Sequence, residues 1–171
     1  LKTVFMNTSS AGIRNLLFDL GGVIINLDRQ RCVDALTALG DEKADEMLSL
    51  SVQRGTLMDL EEGKISPSDF FKRMRQKIGK AVSDEEIVHA LNELLIGIPL
   101  DRLTLLRKLR QRFNVMMLSN TNPIMFDTKI AECFAQEGLS ITDYFDDVYL
   151  SYRLKSCKPV SYTHLTLPTI A

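Results

Sequence analysis

Three polar groupings along the 171-residue chain could do chemistry together: Asp19, the Ser119–Asn120 pair, and Lys158. Asp19 interrupts the run Leu16-Leu17-Phe18-Asp19-Leu20-Gly21-Gly22-Val23-Ile24-Ile25 at the point where glycines begin. A carboxylate there can serve as a nucleophile or a metal ligand, and the glycines let backbone approach a ligand closely. Ser119 and Asn120 offer a hydroxyl beside backbone N–H donors, and Lys158 offers an ammonium. That set suits phosphoryl transfer. Asp19 would attack phosphorus, while Ser119, the Asn120 N–H and Lys158 hold the oxygens on which charge develops. Each residue also has a plainer role open to it: Asp19 opening an ordinary βα turn, Ser119 capping a helix, Lys158 solvated at the surface.

These residues need a common edge. Arg14–Asp19, Val115–Leu118 and Asp147–Ser151 are short apolar runs that read as strands of a parallel sheet, each followed by polar residues. Ligands of such sheets collect at the carboxyl ends of the strands, so the pattern predicts one shared site. Between the first two strands the sequence is helical in period. Arg29–Leu39 follows Asp28 as N-cap, and Asp41–Leu50 and Gly55–Glu62 come next. Pro67 begins a helix with Phe70, Phe71, Met74 and Ile78 on one face. Ser83 and Glu86 form a capping box that opens a helix carrying Ile87, Leu91, Leu94 and Leu95. Leu100–Arg110 is a further helix, and another runs from about Pro123 to Gly138. Arg29–Ile98 is far longer than a βα crossover requires. The expected fold is therefore α/β: a Rossmann-like, three-layer parallel-sheet core from residues 13–28 and 99–159, with a helical cap inserted at 29–98.

Composition narrows the class. Apolar residues make up 45% and charged residues 25%, the ordinary globular range. Basic and acidic side chains nearly cancel, at 21 and 22, which argues against a nucleic-acid or anionic-membrane partner. Cys32, Cys133 and Cys157 are odd in number and form no CxxC pair, as expected of free thiols in a reducing compartment. The apolar stretches fall short of a membrane span. A cytoplasmic monomer or homodimer is expected.

The Phe18-Asp19-Leu20-Gly21-Gly22-Val23 segment, the Leu118-Ser119-Asn120-Thr121-Asn122 turn and Ser151…Lys158-Pro159 together resemble the first three motifs of the haloacid dehalogenase-like hydrolases. The likeness is strongest to the helical-cap branch containing bacterial sugar-phosphate phosphatases and the N-terminal domain of some epoxide hydrolases. The resemblance implies a magnesium-dependent phosphatase that acts on a small phosphorylated metabolite through an aspartyl-phosphate. On it, Asp19 corresponds to the nucleophile and a magnesium ligand, and Gly21 supplies a metal-binding carbonyl. Ser119 and Asn120 correspond to the phosphate-binding turn, and Lys158 to the charge-neutralising lysine. A non-catalytic phospho-ligand domain and a dehalogenase-type hydrolase are the alternatives, although a lysine and a serine turn suit phosphate better than a halide.

Two departures stand out. Many phosphatases of the superfamily carry a second aspartate, the general acid/base, two residues after the nucleophile. Gly21 occupies that place here, as in the branch the chain most resembles, and the proton donor is left unassigned. Asp28 is expected to cap its helix instead. In the cap, Arg54, Glu61, Glu62, Lys64 and His89 could line a pocket, with His89 expected to be solvated. The second departure is the end. Val160–Ala171 contains no Asp or Glu to complete a magnesium site, and Val160–Thr169 resembles the translation of a sequencing-library adapter. The expectation is a fragment with a non-native tail at 160–171, an incomplete core and metal site, and no activity of its own.

Overall fold

A computed structural model describes residues 12–48 and 55–158. Arg54 and the tail, 160–171, lie outside the described residues. In chain order the elements begin with β1 (Asn15–Phe18), β2 (Asn26–Leu27), α1 (Arg29–Leu39), α2 (Ala44–Met47), α3 (Thr56–Glu61), α4 (Pro67–Ile78) and α5 (Asp84–Asn92). They continue with β3 (Leu95–Gly97), α6 (Leu100–Arg110), β4 (Asn114–Ser119), α7 (Pro123–Met125), α8 (Ala131–Phe134), α9 (Ile141–Tyr144), β5 (Asp147–Leu150) and α10 (Ser151–Leu154). A π-helical turn at Phe126–Ile130 joins α7 to α8.

The sheet is parallel, in the order β1-β4-β5, and forms an α/β Rossmann-like core. Inward-facing Leu16, Phe18, Val115, Met117 and Leu150 are buried, so the strands are held by burial on the sheet face. Register decides where the chemistry lands. Phe18 lies beside Met117, and Ser119 beside Leu150. The three strands therefore end within two residues of one another, and the residues after them share one edge.

The helix starts follow local capping. Asp28 accepts the Arg31 N–H at 3.2 Å, so it caps α1 as expected. Ser66 accepts the Asp69 N–H ahead of Pro67, and Ser83 and Glu86 form a reciprocal box. Phe70, Met74 and Ile78 of α4 and Ile87 and Leu91 of α5 are buried, which is the amphipathic face the sequence predicts.

Three expected boundaries are corrected. The helix predicted from Asp41 is confined, among described residues, to Ala44–Met47. The helix opened by Ser83 ends at Asn92, and Leu95 belongs to β3, which pairs antiparallel with β2. That ribbon brings the two ends of the helical insertion together, so Asp28 N–H donates to the Leu94 carbonyl at 2.9 Å. The third strand ends at Leu150, not Ser151, which instead begins α10, whose C-cap Lys155 is left-handed at φ 54°.

The helices between β2 and β3 carry an ion pair whose carboxylate is buried. Asp41, 1% exposed, receives Lys77 Nζ at 2.8 Å and the Lys43 N–H at 3.0 Å. Truncating it returns the exposed Lys77 ammonium to solvent and leaves the Lys43 N–H without its acceptor. Asp41→Ala is expected to lower stability by about 1–2 kcal/mol, measured as a reduced urea midpoint at unchanged m.

Candidate active site

Asp19 follows directly on β1, and its Oδ1 accepts the Leu20 N–H at 2.8 Å. The chain then coils tightly. The Leu20 carbonyl accepts N–H groups from Val23, Ile24 and Ile25 at 3.3, 2.9 and 3.0 Å. Gly22 sits at φ +70°, the left-handed region that a glycine enters without steric cost. A Cβ on Gly21 would stand 3.2 Å from Leu27 Cδ1, so the β2 side chain occupies the space where a longer residue would extend. Arg102 of α6 pins this segment from behind, donating to the Ile24 carbonyl at 2.8 Å and to Asn26 Oδ1 at 2.9 Å.

Lys158 reaches the same edge from the segment after β5. Its Nζ lies 2.8 Å from Asp19 Oδ1 and donates to the Leu118 carbonyl at 2.9 Å. Asp19 is 47% exposed at its side chain against 25% for Lys158, so the pair opens to solvent on the carboxylate side. Ser119 is buried at the end of β4, with its Oγ donating to the Asn120 carbonyl at 3.3 Å. Asn120 is exposed, but its side chain is engaged with the Lys158 backbone. Asn122 caps α7 through Oδ1 and is fully buried. Its Nδ2 is the buried side-chain nitrogen or oxygen that lacks a hydrogen-bond partner among the described residues. The structure thus brings Asp19, Gly21, Ser119, Asn120 and Lys158 to one sheet edge.

Other residues singled out in the sequence fall elsewhere or serve structure. His89 is 78% exposed at its side chain, 3.9 Å from Glu93, as expected of a solvated residue. All three cysteines are buried and free, and burial pushes the Cys32 thiol up to about 12 and the Cys157 thiol to about 11. Neither is a thiolate near neutral pH. No group of three metal-ligating side chains occurs among the described residues. The described clefts do not include Asp19 or Lys158: the larger lies by the β2–β3 ribbon, against Ile96, Pro99 and Lys129. The sheet edge is the place where titratable and hydroxyl groups converge, and chemistry outweighs concavity in assigning the site.

Sequence reasoning missed Ser151, Arg102 and the Leu118 carbonyl. Only Ser151 had a signal, since it begins the third motif. The α3–α4 turn also comes close to this segment. A Cβ on Gly63, at φ +63°, would collide with the Tyr152 carbonyl oxygen next to Ser151. Glu61, two residues before, is half-buried, and burial together with the Glu62 charge raises its carboxyl from 4.5 to about 7. A raised acid pKa means that the folded chain keeps a proton the unfolded chain releases. The resulting stability is fully present below pH 4.5 and is lost as pH rises through about 7. Glu61→Gln removes that dependence. It is expected to stabilise the chain by about 2 kcal/mol at pH 8 and by little at pH 4.5, as read by thermal melts at both values.

A parallel α/β sheet with a carboxylate, a serine turn and a lysine at its carboxyl edge presents a donor set suited to phosphoryl transfer. No family model matches the chain. It is 37% identical over 147 residues to the D-ribitol-5-phosphate phosphatase of Bacteroides thetaiotaomicron, covering 86% of this chain and 71% of the relative. A crystal structure of a HAD family enzyme from the same organism, in complex with magnesium and inorganic phosphate, superposes with a TM-score of 0.83 at 40% identity. That match covers 86% of this chain and 73% of the other. A predicted HAD-like family hydrolase from Porphyromonas gingivalis gives a TM-score of 0.80 at 33% identity over 88% of this chain and 72% of its own. The chain belongs to the haloacid dehalogenase-like hydrolases, as a phosphatase-type member.

Proposed function

We propose that the full-length protein hydrolyses a small phosphorylated metabolite with magnesium, through an aspartyl-phosphate formed on Asp19. The observation that carries the reading is the pairing of Asp19 with Lys158 at 2.8 Å on the edge where Ser119 also ends its strand. An Asp19 oxygen would attack phosphorus, and the bond from phosphorus to the substrate oxygen would break. The released alkoxide takes a proton from solvent or substrate, since this chain's own donor is unassigned at Gly21. Water then attacks the acyl phosphate and returns Asp19. Throughout, Lys158, Ser119 and the Asn120 N–H would hold the phosphoryl oxygens.

The donors at this edge are hard oxygens, which suit magnesium. Lys158 takes Asp19 Oδ1, leaving the second carboxylate oxygen and the carbonyl of Gly21, an exposed residue, as the groups that would hold the ion. When bound, magnesium supplies positive charge between carboxylate and phosphate, lowering their repulsion. We further propose that residues 29–98 act as a cap beside a core of 13–28 and 99–159. The short β2–β3 ribbon that closes the insertion and the Gly63–Tyr152 contact both support that division.

Similarity to a ribitol-phosphate phosphatase makes polyol phosphates the first substrates to try. The test is phosphate release by the full-length protein from pentitol, sugar and p-nitrophenyl phosphates with and without magnesium. Magnesium-dependent turnover, fastest on a polyol phosphate, is expected. Binding of phosphate with no release from any ester would overturn the reading in favour of a non-catalytic phospho-ligand domain.

A further inference from the structure

Strand pairing between β4 and β5 stops at Ser119 and Leu150, yet the chain segments beyond it remain tied. Two side chains make the ties, in opposite directions. Asn120, on the turn after β4, donates through Nδ2 to the Lys158 carbonyl at 2.7 Å and accepts the Lys158 N–H at 2.8 Å. Ser151, on the far side, accepts the Thr121 N–H at 3.0 Å and donates to the Thr121 carbonyl at 2.9 Å. In each clamp one side chain satisfies both backbone groups of one residue, as a neighbouring strand would. Ser151 and Thr121 are 1% and 5% exposed, so water does not compete for the second clamp.

The consequence falls on Lys158. A lysine ammonium rides on a flexible four-carbon stem, so its placement depends on where its backbone is fixed. Here the backbone is gripped at both N–H and C=O, and Nζ then meets the Leu118 carbonyl and Asp19 together. The left-handed Lys155 points the same way, because a non-glycine residue persists there only when its surroundings hold it.

We propose that Asn120 and Ser151 are positioning residues. Their reciprocal clamps set the lysine loop against the serine turn and hold the Lys158 ammonium on Asp19. The proposal rests on the phosphatase reading of the site and names what aligns its lysine. Asn120 would then act by its side chain as well as by the N–H that the phosphate-binding role assigns to it.

The test uses the full-length protein with Asn120→Ala, Ser151→Ala and the double variant. Each single variant is expected to lower kcat/KM for p-nitrophenyl phosphate about tenfold, mainly in kcat. The double variant should lose less than the product, because releasing either clamp frees the same loop. A readout independent of turnover is reductive methylation of lysines by formaldehyde and cyanoborohydride, located by mass spectrometry. Lys158 should react several-fold faster in the variants, with Lys129, paired to Glu132, as the unchanged reference. Wild-type reactivity at Lys158 in both variants overturns the proposal even if activity falls, since the loss is then only structural. If Ser151→Ala does not fold, Asn120→Ala at its exposed position decides alone. If wild type and Asp19→Asn turn over equally slowly, the phosphatase reading fails, and Lys158 methylation still decides the clamps.

Discussion

Asp19→Asn is expected to lower the rate of phosphate release from any ester the protein accepts by at least about a thousandfold, with the fold intact. The amide keeps the shape and can still take the Leu20 N–H through its oxygen, but it is a poor nucleophile. It also removes the charge facing Lys158 at 2.8 Å. Because Asp19 is nearly half exposed, the lost ion pair is screened and the melting temperature should hardly move. Activity and stability therefore separate, which distinguishes a nucleophile from a structural carboxylate. Stopped assays of phosphate release paired with thermal melts measure both. Wild-type turnover in the Asp19→Asn variant would contradict the role.

Lys158→Met is expected to cost about a hundredfold or more in kcat/KM, the scale of losing a donor aimed at developing charge. Methionine matches the length of the stem and leaves the backbone grip of Asn120 in place, so the effect isolates the ammonium. Affinity for inorganic phosphate should fall as well, because Asp19 then faces the anion without a counter-charge. Calorimetric titration of phosphate into both proteins, beside steady-state kinetics, checks the two parts. A large loss of phosphate affinity with unchanged kcat would make Lys158 a binding group only.

Much of this was legible in the chain because the signals are local. Asp28, Ser66 and Ser83 announce their helices by hydrogen bonds to residues three positions on, and those contacts need no knowledge of the fold. The core strands showed themselves as apolar runs because both faces of a parallel sheet are covered. Placing Asp19, Ser119 and Lys158 together needed only the topological rule that strand ends share an edge. What escaped is non-local. Asn26 and Gly97 pair across the whole helical insertion, and so few residues leave no periodic trace. Asp41 and Lys77 are 36 positions apart, and neither residue type alone marks their pairing. The clamps of Asn120 and Ser151 join side chains to backbone across 38 and 30 positions. Side-chain-to-backbone contacts impose little on the type of the residue whose backbone is held. That is why Ser151 looked like the end of a strand. The π-helical turn inside the helix that starts at Pro123 was equally silent, since its residues keep a helical pattern.

The central claim, that Asp19 accepts the phosphoryl group, is tested most directly by trapping the acyl phosphate. The protein is mixed with a phosphate ester and magnesium, quenched in acid during turnover, and reduced with borohydride before peptide mass spectrometry. The predicted result is conversion of Asp19 alone to homoserine, present in wild type and absent without substrate. Conversion at another carboxylate would contradict the assignment, and so would continued turnover with Asp19 never modified.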